Sequence, residues 1–355
     1  MAKVIVGMSG GVDSSVTAHL LKERGFEVEG ISFILWEARN RGSFTACCSL
    51  EATAGAAKTA SGIGIKHEAI DVRGEFIEKV IEPFVDAYLQ GLTPNPCILC
   101  NRHIKFPFLL REAERRGAEF IATGHYARVE RSATDRAVRL RKGIDPAKDQ
   151  SYVLYILKKE ELERLVLPLG DHHKKDVRQI ARQLRLSAAD RPESQEICFI
   201  EERNYSEFIE KLSSHPVEPG PIRDLSGKVL GTHQGISRYT LGQRKGLGIS
   251  SPEPYYVVNI DVKSNTLYAG PRDEALIREV LVDEMNWLLT RPAAPFRALV
   301  KVRSMMEARP ASVEMREEGV RVVFDEPQWP PSAGQSAVLY DADTVISGGI
   351  ISSCR

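Results

Sequence analysis

With 355 residues the chain is long enough for two or three domains, each with its own buried core. Its composition, 43% hydrophobic and 27% charged, is that of an ordinary soluble globular protein and excludes a disordered or fibrous chain. Forty-eight basic residues balance 48 acidic ones, so no global field draws the molecule to nucleic acid, and any RNA binding has to come from local patches. No run of about 18 apolar residues is present, so no membrane span or membrane partner is expected. The opening Met1-Ala2-Lys3-Val4-Ile5-Val6-Gly7 reads as a first buried strand rather than a signal peptide. Six cysteines, two of them in a C-x-x-C, suggest a reducing compartment with reactive or metal-binding thiols, which makes a cytoplasmic location the expectation.

The first ~205 residues alternate strand and helix signals, as in a parallel sheet covered on both faces. Lys3–Val6 is a short apolar run. It feeds a Gly-rich turn and then a helix from about Ser14 to Arg24, which Gly25 closes. Val28–Leu35 is the next strand, Ala52–Ala60 an Ala-rich helix, and His67–Val72 a third strand. From Glu75 to Leu89 the residues Phe76, Val80, Phe84 and Tyr88 recur at helical spacing. Thr93-Pro94-Asn95-Pro96 reads as a loop. Phe106–Arg116 is a helix ended by Gly117, and Phe120–Thr123 a buried strand running into Gly124-His125-Tyr126. Arg136, Arg139, Arg141, Lys142 and Lys148 form one basic cluster and residues 172–185 another. Charge alone does not separate solvated faces from RNA contacts here. Beyond about Tyr205, Pro and Gly crowd in and strands are expected at Tyr255–Ile260, Arg297–Arg303, Val313–Phe324 and Ser336–Leu339, giving one small β domain and then a second β domain or barrel.

The segment Gly7-Met8-Ser9-Gly10-Gly11-Val12-Asp13-Ser14 lies between the first strand and the first helix. Adjacent glycines let the backbone turn tightly and bring N–H groups close to an anion, and the helix adds its positive N-terminal end. The lysine of the G-x-x-x-x-G-K-[ST] loop is missing, as is G-x-G-x-x-G spacing. The S-G-G-x-D-S string in this context resembles the PP-loop of the ATP pyrophosphatases, which cleave ATP between its α- and β-phosphates. That resemblance implies ATP, with Asp13 assisting Mg²⁺.

Cys97-Ile98-Leu99-Cys100 follows the Pro loop, and a thiol near a helix N-terminus is expected to have a lowered pKa. Redox pair, metal ligands and catalytic nucleophile all remain open for Cys97 and Cys100, although the second C-x-x-C or H-x-x-x-H that zinc would want is missing. Cys47, Cys48 and Cys354 read as small buried hydrophobes.

Several strings then coincide: Thr93-Pro94-Asn95-Pro96 with Cys100-Asn101 and Ile104-Lys105-Phe106, Ala122-Thr123-Gly124-His125-Tyr126-Ala127, Lys148-Asp149-Gln150-Ser151-Tyr152, Ile197-Cys198-Phe199-Ile200, and Thr240 to Gly248. Together with Gly334-Gln335-Ser336 and Gly348-Gly349-Ile350-Ile351 they run in order along essentially the whole chain and resemble the tRNA-specific 2-thiouridylase family. The resemblance implies a PP-loop (adenine nucleotide alpha hydrolase-like) doubly wound parallel sheet over residues 1–205. It further implies a small central β-rich domain over 206–275 and a C-terminal β-barrel over 276–355. It implies 2-thiolation of the wobble uridine, U34, in tRNAs for Lys, Glu and Gln, with the anticodon stem-loop as partner and a sulfur donor protein or inorganic sulfide as source.

By motif position Cys198 would be the persulfide carrier and Cys100 the second catalytic thiol. Gly7 to Ser14, Phe33 and Gly124 would surround ATP. Asn95, Pro96 and Cys97 would meet the flipped target base, and Lys148, Asp149, Gln150, Arg303 and Ser304 would contact tRNA. Cys97 stands where the family commonly has Asp. With Cys100 and Cys198 it offers three thiolates, enough for a [4Fe–4S] cluster with one iron open to hydrosulfide. His125 is either a general base or part of the ATP pocket wall, and Gln243-Arg244-Lys245-Gly246 either a basic β turn or a tRNA-facing loop. The rivals are another PP-loop enzyme forming amides, which needs no reactive cysteine, and a non-catalytic RNA- or cluster-binding protein.

Overall fold

A computed structural model of the chain describes residues 1–36, 50–132, 137–186, 189, 197–200, 205–213 and 216–355, with backbone only at 50 and 51. Cys47, Cys48, Arg136 and the Ser194-Gln195-Glu196 string lie outside the described residues. The chain divides into two compact units, one made of residues 1–80, 96–203 and 342–346, the other of 81–95, 204–341 and 347–355.

The first unit is built on a five-stranded parallel sheet. In chain order its strands are β1 (Lys3–Gly7), β2 (Glu27–Ile34), β3 (Lys66–Asp71), β4 (Phe120–Ala122) and β7 (Leu165–Val166), arranged β3-β2-β1-β4-β7. Val4, Ile5 and Val6 are all fully buried, which is why β1 reads as an unbroken apolar run: helices cover both of its faces. On one face Val4 and Val6 pack with Ala18 and Leu21 of α1 (Val12–Glu23) and Ala56 and Ala60 of α2 (Leu50–Ile63). On the other, Leu109 of α4 (Phe106–Arg115) lies 3.3 Å from the Cβ position of Gly7. The strand order reverses between β2-β1 and β1-β4, and in such sheets ligands bind past the carboxyl ends at the reversal.

Two local readings change. The stretch expected as one helix over Glu75–Leu89 is Arg73–Phe76, a π-helical Ile77–Ile81 and Glu82–Leu89, with Phe76, Val80, Phe84 and Tyr88 buried as the spacing required. Pro96 leaves the loop and starts α3 (Pro96–Cys100), the first helical position being one where a missing N–H costs nothing. A π-helical Asn101–Lys105 then joins α3 to α4. Of the first basic cluster, Arg139, Arg141 and Lys142 lie on β6 (Val138–Lys142), which forms a hairpin with β5 (Ala127–Arg131). There Arg141 pairs with Asp343 at 2.8 Å and Glu130 at 3.0 Å, so part of that charge is already neutralised.

The second unit holds a four-stranded sheet, β10-β11-β8-β9, from β8 (Gly220–Arg223), β9 (Val229–His233), β10 (Tyr256–Asp261) and β11 (Thr266–Gly270). Six further strands, β12 (Ile277–Trp287), β13 (Phe296–Lys301), β14 (Arg309–Arg316), β15 (Gly319–Gln328), β16 (Ser336–Asp341) and β17 (Thr344–Cys354), run β12-β15-β14-β13-β16-β17 and close through β12–β17. The single strand expected over Val313–Phe324 is a hairpin. Glu317 and Glu318 form its tip and Gly319, at φ +135°, takes a backbone shape closed to other residues.

Candidate active site

The loop after β1 is tied down residue by residue. Ser9 N–H donates to Ser14 Oγ at 3.1 Å, and Gly11 C=O accepts from Ser14 Oγ at 3.3 Å and Ser15 Oγ at 2.8 Å. Gly10 has φ +75°, and a Cβ there would stand 2.2 Å from the Ala52 carbonyl oxygen, so glycine is required. Gly11 caps α1 without a side chain, leaving the first-turn amides and the positive helix end to serve an anion. Gly124, just past β4, packs so closely on the loop that a Cβ would lie 2.9 Å from Asp13 C and Ser14 N. Asp13 is held by Lys174 Nζ at 2.7 Å from each oxygen and accepts from Tyr126 OH at 2.8 Å.

Beside this loop lies a cavity of about 320 Å³, within the range of small-molecule sites. Its lining includes Gly7, Met8, Ser9, Asp13 and Ser14, with Phe33 and Gly124 from the neighbouring strand ends. Gly10, Gly11 and Val12 belong to the same loop without lining the cavity. Phe33 is buried and meets Phe108 edge-on at 6.1 Å. His125, also in the lining, has Nδ1 2.7 Å from Thr123 Oγ1 and stacks on Phe106 at 5.9 Å. Burial, and then the Lys105 charge, push its pKa well below the usual histidine value, so the ring is neutral.

The same cavity reaches Pro96, Cys97, Cys100 and Cys198. Cys97 is exposed as the second residue of α3, whereas Cys100 is its last residue and is buried. Burial pushes the Cys100 thiol up to about 11, against a smaller opposing pull from Lys105. The lowered pKa expected from a helix start is therefore overturned for Cys100, because burial has cost the thiol its water. Cys198 is half-buried on the turn Ile197–Ile200, closed by Ile200 N donating to Ile197 C=O at 3.1 Å. Its neighbour Phe199 is 2% exposed and meets Phe76 edge-on at 5.7 Å, which anchors the turn. The described cysteines form no disulfide, and among the described residues no three His, Cys, Asp or Glu side chains gather as a metal-holding group.

Three family models match the chain in succession. A tRNA methyl transferase HUP domain matches residues 2–202, a tRNA methyl transferase PRC-barrel domain 206–271, and an aminomethyltransferase β-barrel domain 277–351. The tRNA-specific 2-thiouridylase MnmA 2 of Thermoanaerobacter sp. (strain X514) is 45% identical over 354 residues, which span 98% of this chain and 97% of that protein. The tRNA-specific 2-thiouridylase MnmA of Clostridioides difficile (strain 630) is 41% identical over 352 residues, 98% of each chain. The chain belongs to the tRNA-specific 2-thiouridylase family. A third relative, the 2-thiouridylase MnmA of Herpetosiphon aurantiacus, is 44% identical over 357 residues, 100% of this chain and 99% of its own.

For a 2-thiouridylase-family chain the remaining expected residues fall in varied settings. Asn95 is half-buried in the coil one peptide ahead of Pro96. Lys148, Asp149 and Gln150 follow the β5–β6 hairpin. Asp149 accepts from Gly143 N and Ser151 N, each at 3.1 Å, while Gln150 also lines the cavity. In the second unit Arg303 Nη2 donates to Leu241 C=O at 3.0 Å and Pro330 C=O at 2.7 Å, with Ser304 exposed beside it. Arg303 thus ties the barrel to the Thr240–Gly248 motif. Sequence reasoning passed over Lys105, Tyr126 and Lys174. Lys105 and Tyr126 lay inside quoted motifs without a role, and Lys174 was hidden in the basic run 172–185.

Proposed function

We propose that the protein is a cytoplasmic, ATP-dependent tRNA-uridine 2-sulfurtransferase that converts the wobble uridine, U34, of tRNAs for Lys, Glu and Gln to 2-thiouridine. The observation that carries this is one cavity whose lining includes both the phosphate loop and Cys97, Cys100 and Cys198. A 41–45% identity to named 2-thiouridylases over nearly the whole chain supports the acceptor. Gly7 to Ser14 hold the phosphates, Phe33 and Gly124 enclose the nucleoside, and Asn95, Pro96 and Cys97 receive a uridine flipped out of the anticodon stem-loop. Lys148, Asp149, Gln150, Arg303 and Ser304 contact the RNA backbone or loop.

Uridine O2 attacks the α-phosphorus of ATP and pyrophosphate leaves, so the oxygen departs later as part of AMP. Asp13 is the carboxylate that would share Mg²⁺ with the phosphates, and the ion would neutralise charge there. A persulfide on Cys198, formed when the Cys198 thiolate takes the outer sulfur of a donor protein's persulfide and frees that protein's thiol, then attacks C2 with its outer sulfur and expels AMP. Cys100 attacks Cys198 Sγ, leaving sulfur on the base and a Cys100–Cys198 disulfide that an external dithiol reduces. Because burial keeps Cys100 protonated, this step needs the thiol to lose its proton once substrate fills the cavity.

The three cysteines are soft donors of the kind a [4Fe–4S] cluster takes, and they line one cavity. They are not gathered as a formed metal site among the described residues, so no step above runs through a cluster. The test is nucleoside mass spectrometry of tRNA incubated anaerobically with enzyme, ATP, Mg²⁺ and either a persulfide donor or sulfide, alongside iron and labile-sulfide assays. Iron-free protein given the persulfide donor is expected to form 2-thiouridine at position 34. Thiolation that appears only with bound iron replaces the persulfide route by the cluster, and absence of 2-thiouridine in both preparations removes the function.

A further inference from the structure

Two chains of hydrogen bonds run from the segment 145–150 to Asp13 in the phosphate loop. In the first, Asp145 Oδ1 accepts from Ala147 N at 3.1 Å and Oδ2 from Lys174 N at 2.9 Å, tying the segment to the start of α5 (Lys174–Gln183). Lys174 then reaches Asp13, with Nζ 2.7 Å from both carboxylate oxygens. In the second, Tyr126 N donates to Gln150 Oε1 at 2.9 Å and Gln150 N donates to Tyr126 C=O at 2.8 Å. Tyr126, 3% exposed, completes the path by donating its hydroxyl to Asp13 Oδ1 at 2.8 Å. The branches meet where Lys174 Nζ stands 5.5 Å from the centre of the Tyr126 ring. Asp149 stiffens the segment, since Ser151 Oγ donates to it at 2.9 Å in addition to the Gly143 and Ser151 amides.

We propose that Lys174 and Tyr126 are positioning residues that couple RNA seated on the 145–150 segment to the phosphate loop, so that ATP is held for adenylation most tightly when tRNA is bound. This rests on the reading of Lys148, Asp149 and Gln150 as tRNA contacts. Asp13 lines the cavity and lies in the first turn of α1, so where its carboxylate sits sets how the loop meets the phosphates. A carboxylate engaged by an ammonium and a phenol in a half-buried site moves with them, because each charge-assisted bond is costly to break there. Moving the segment therefore shifts Asp13 through both branches. Such coupling is reciprocal: whatever factor tRNA adds to nucleotide affinity, nucleotide adds to tRNA affinity.

The experiment measures the affinity of α,β-methylene-ATP with and without tRNA, and of tRNA with and without the analogue, in the wild type and in Lys174→Met, Lys174→Arg and Tyr126→Phe. The wild type is expected to show one coupling factor from both directions, of about 5- to 150-fold. That factor falls to about twofold or less in Lys174→Met, shrinks several-fold in Tyr126→Phe, and partly returns in Lys174→Arg. Tyr126→Phe removes a single hydroxyl, so loss of fold does not confuse the result. A wild-type factor near one, or a full factor in Lys174→Met and Tyr126→Phe, overturns the coupling. If the wild type thiolates tRNA yet shows no coupling, only this inference falls. If it makes no 2-thiouridine, the functional reading falls and takes the inference with it.

Discussion

At the phosphate end of the cavity the loop is fixed by hydrogen bonds from Ser14, Ser15, Lys174 and Tyr126, and by two glycines packed against neighbouring backbone. At the sulfur end Cys97 and Cys100 ride on a five-residue helix, and Cys198 sits on a short turn anchored by the Phe199–Phe76 contact. The first end is specified by backbone geometry, whereas the thiols of the second differ in burial: Cys97 is exposed, Cys198 half-buried and Cys100 buried. The contrast fits the tasks proposed for them: ATP phosphates need preorganised donors, whereas a sulfur carrier must change protonation and bonding during turnover. Substitutions at the two ends should fail in different ways.

The largest effect belongs to the sulfur end. Cys198→Ala is expected to lower tRNA thiolation by about 10⁴-fold or more, as loss of a nucleophile does, while adenylation of tRNA with release of pyrophosphate persists. Parallel loss of pyrophosphate release would erase the division between the two ends. Next comes Gly10→Ala, whose Cβ meets the Ala52 carbonyl at 2.2 Å in a left-handed backbone. It should weaken ATP binding at least about tenfold, roughly 1.4 kcal/mol by calorimetry, with all described thiols still present. Thiol labelling separates Cys97 from Cys100. Iodoacetamide at pH 8 should modify exposed Cys97 first, and Cys100 should speed up as pH rises toward its value of about 11. Equal rates would show that burial does not control the sulfur end.

The smallest effect concerns His125. It is neutral in the fold because burial depresses its pKa, while the unfolded chain binds a proton below about pH 6.5. Its contribution is therefore complete above that value and is lost as pH falls below it, by at most about 1.4 kcal/mol per pH unit. Denaturant melts at pH 7 and 5.5 on wild type and His125→Gln check this; an unchanged slope in the variant would assign the loss to other groups.

The phosphate end was legible because its determinants are local. Adjacent glycines, a strand before and a helix after are all visible within Gly7–Ser14, and the parallel sheet follows from the alternating strand and helix signals. The sulfur end was legible as a set of residues but not as chemistry. A C-x-x-C suggested a thiol at a helix start, yet Pro96 begins the helix four residues earlier and Cys100 lies buried one turn in. Lys174 and Tyr126 escaped notice because their meaning lies in contacts across 161 and 113 residues of sequence, which no local pattern encodes. In the barrel, β12 and β17 pass unseen: bulges interrupt their pairing, and Glu284 takes a left-handed backbone that breaks the alternation in β12.

The most direct test of the central claim follows the oxygen that sulfur replaces. Transfer RNA carrying ¹⁸O at O2 of its wobble uridine is incubated with enzyme, ATP, Mg²⁺ and a sulfur source, and the released AMP is examined by mass spectrometry. Adenylation of O2 predicts one ¹⁸O in AMP for each 2-thiouridine formed. Unlabelled AMP accompanying thiolated tRNA would contradict it.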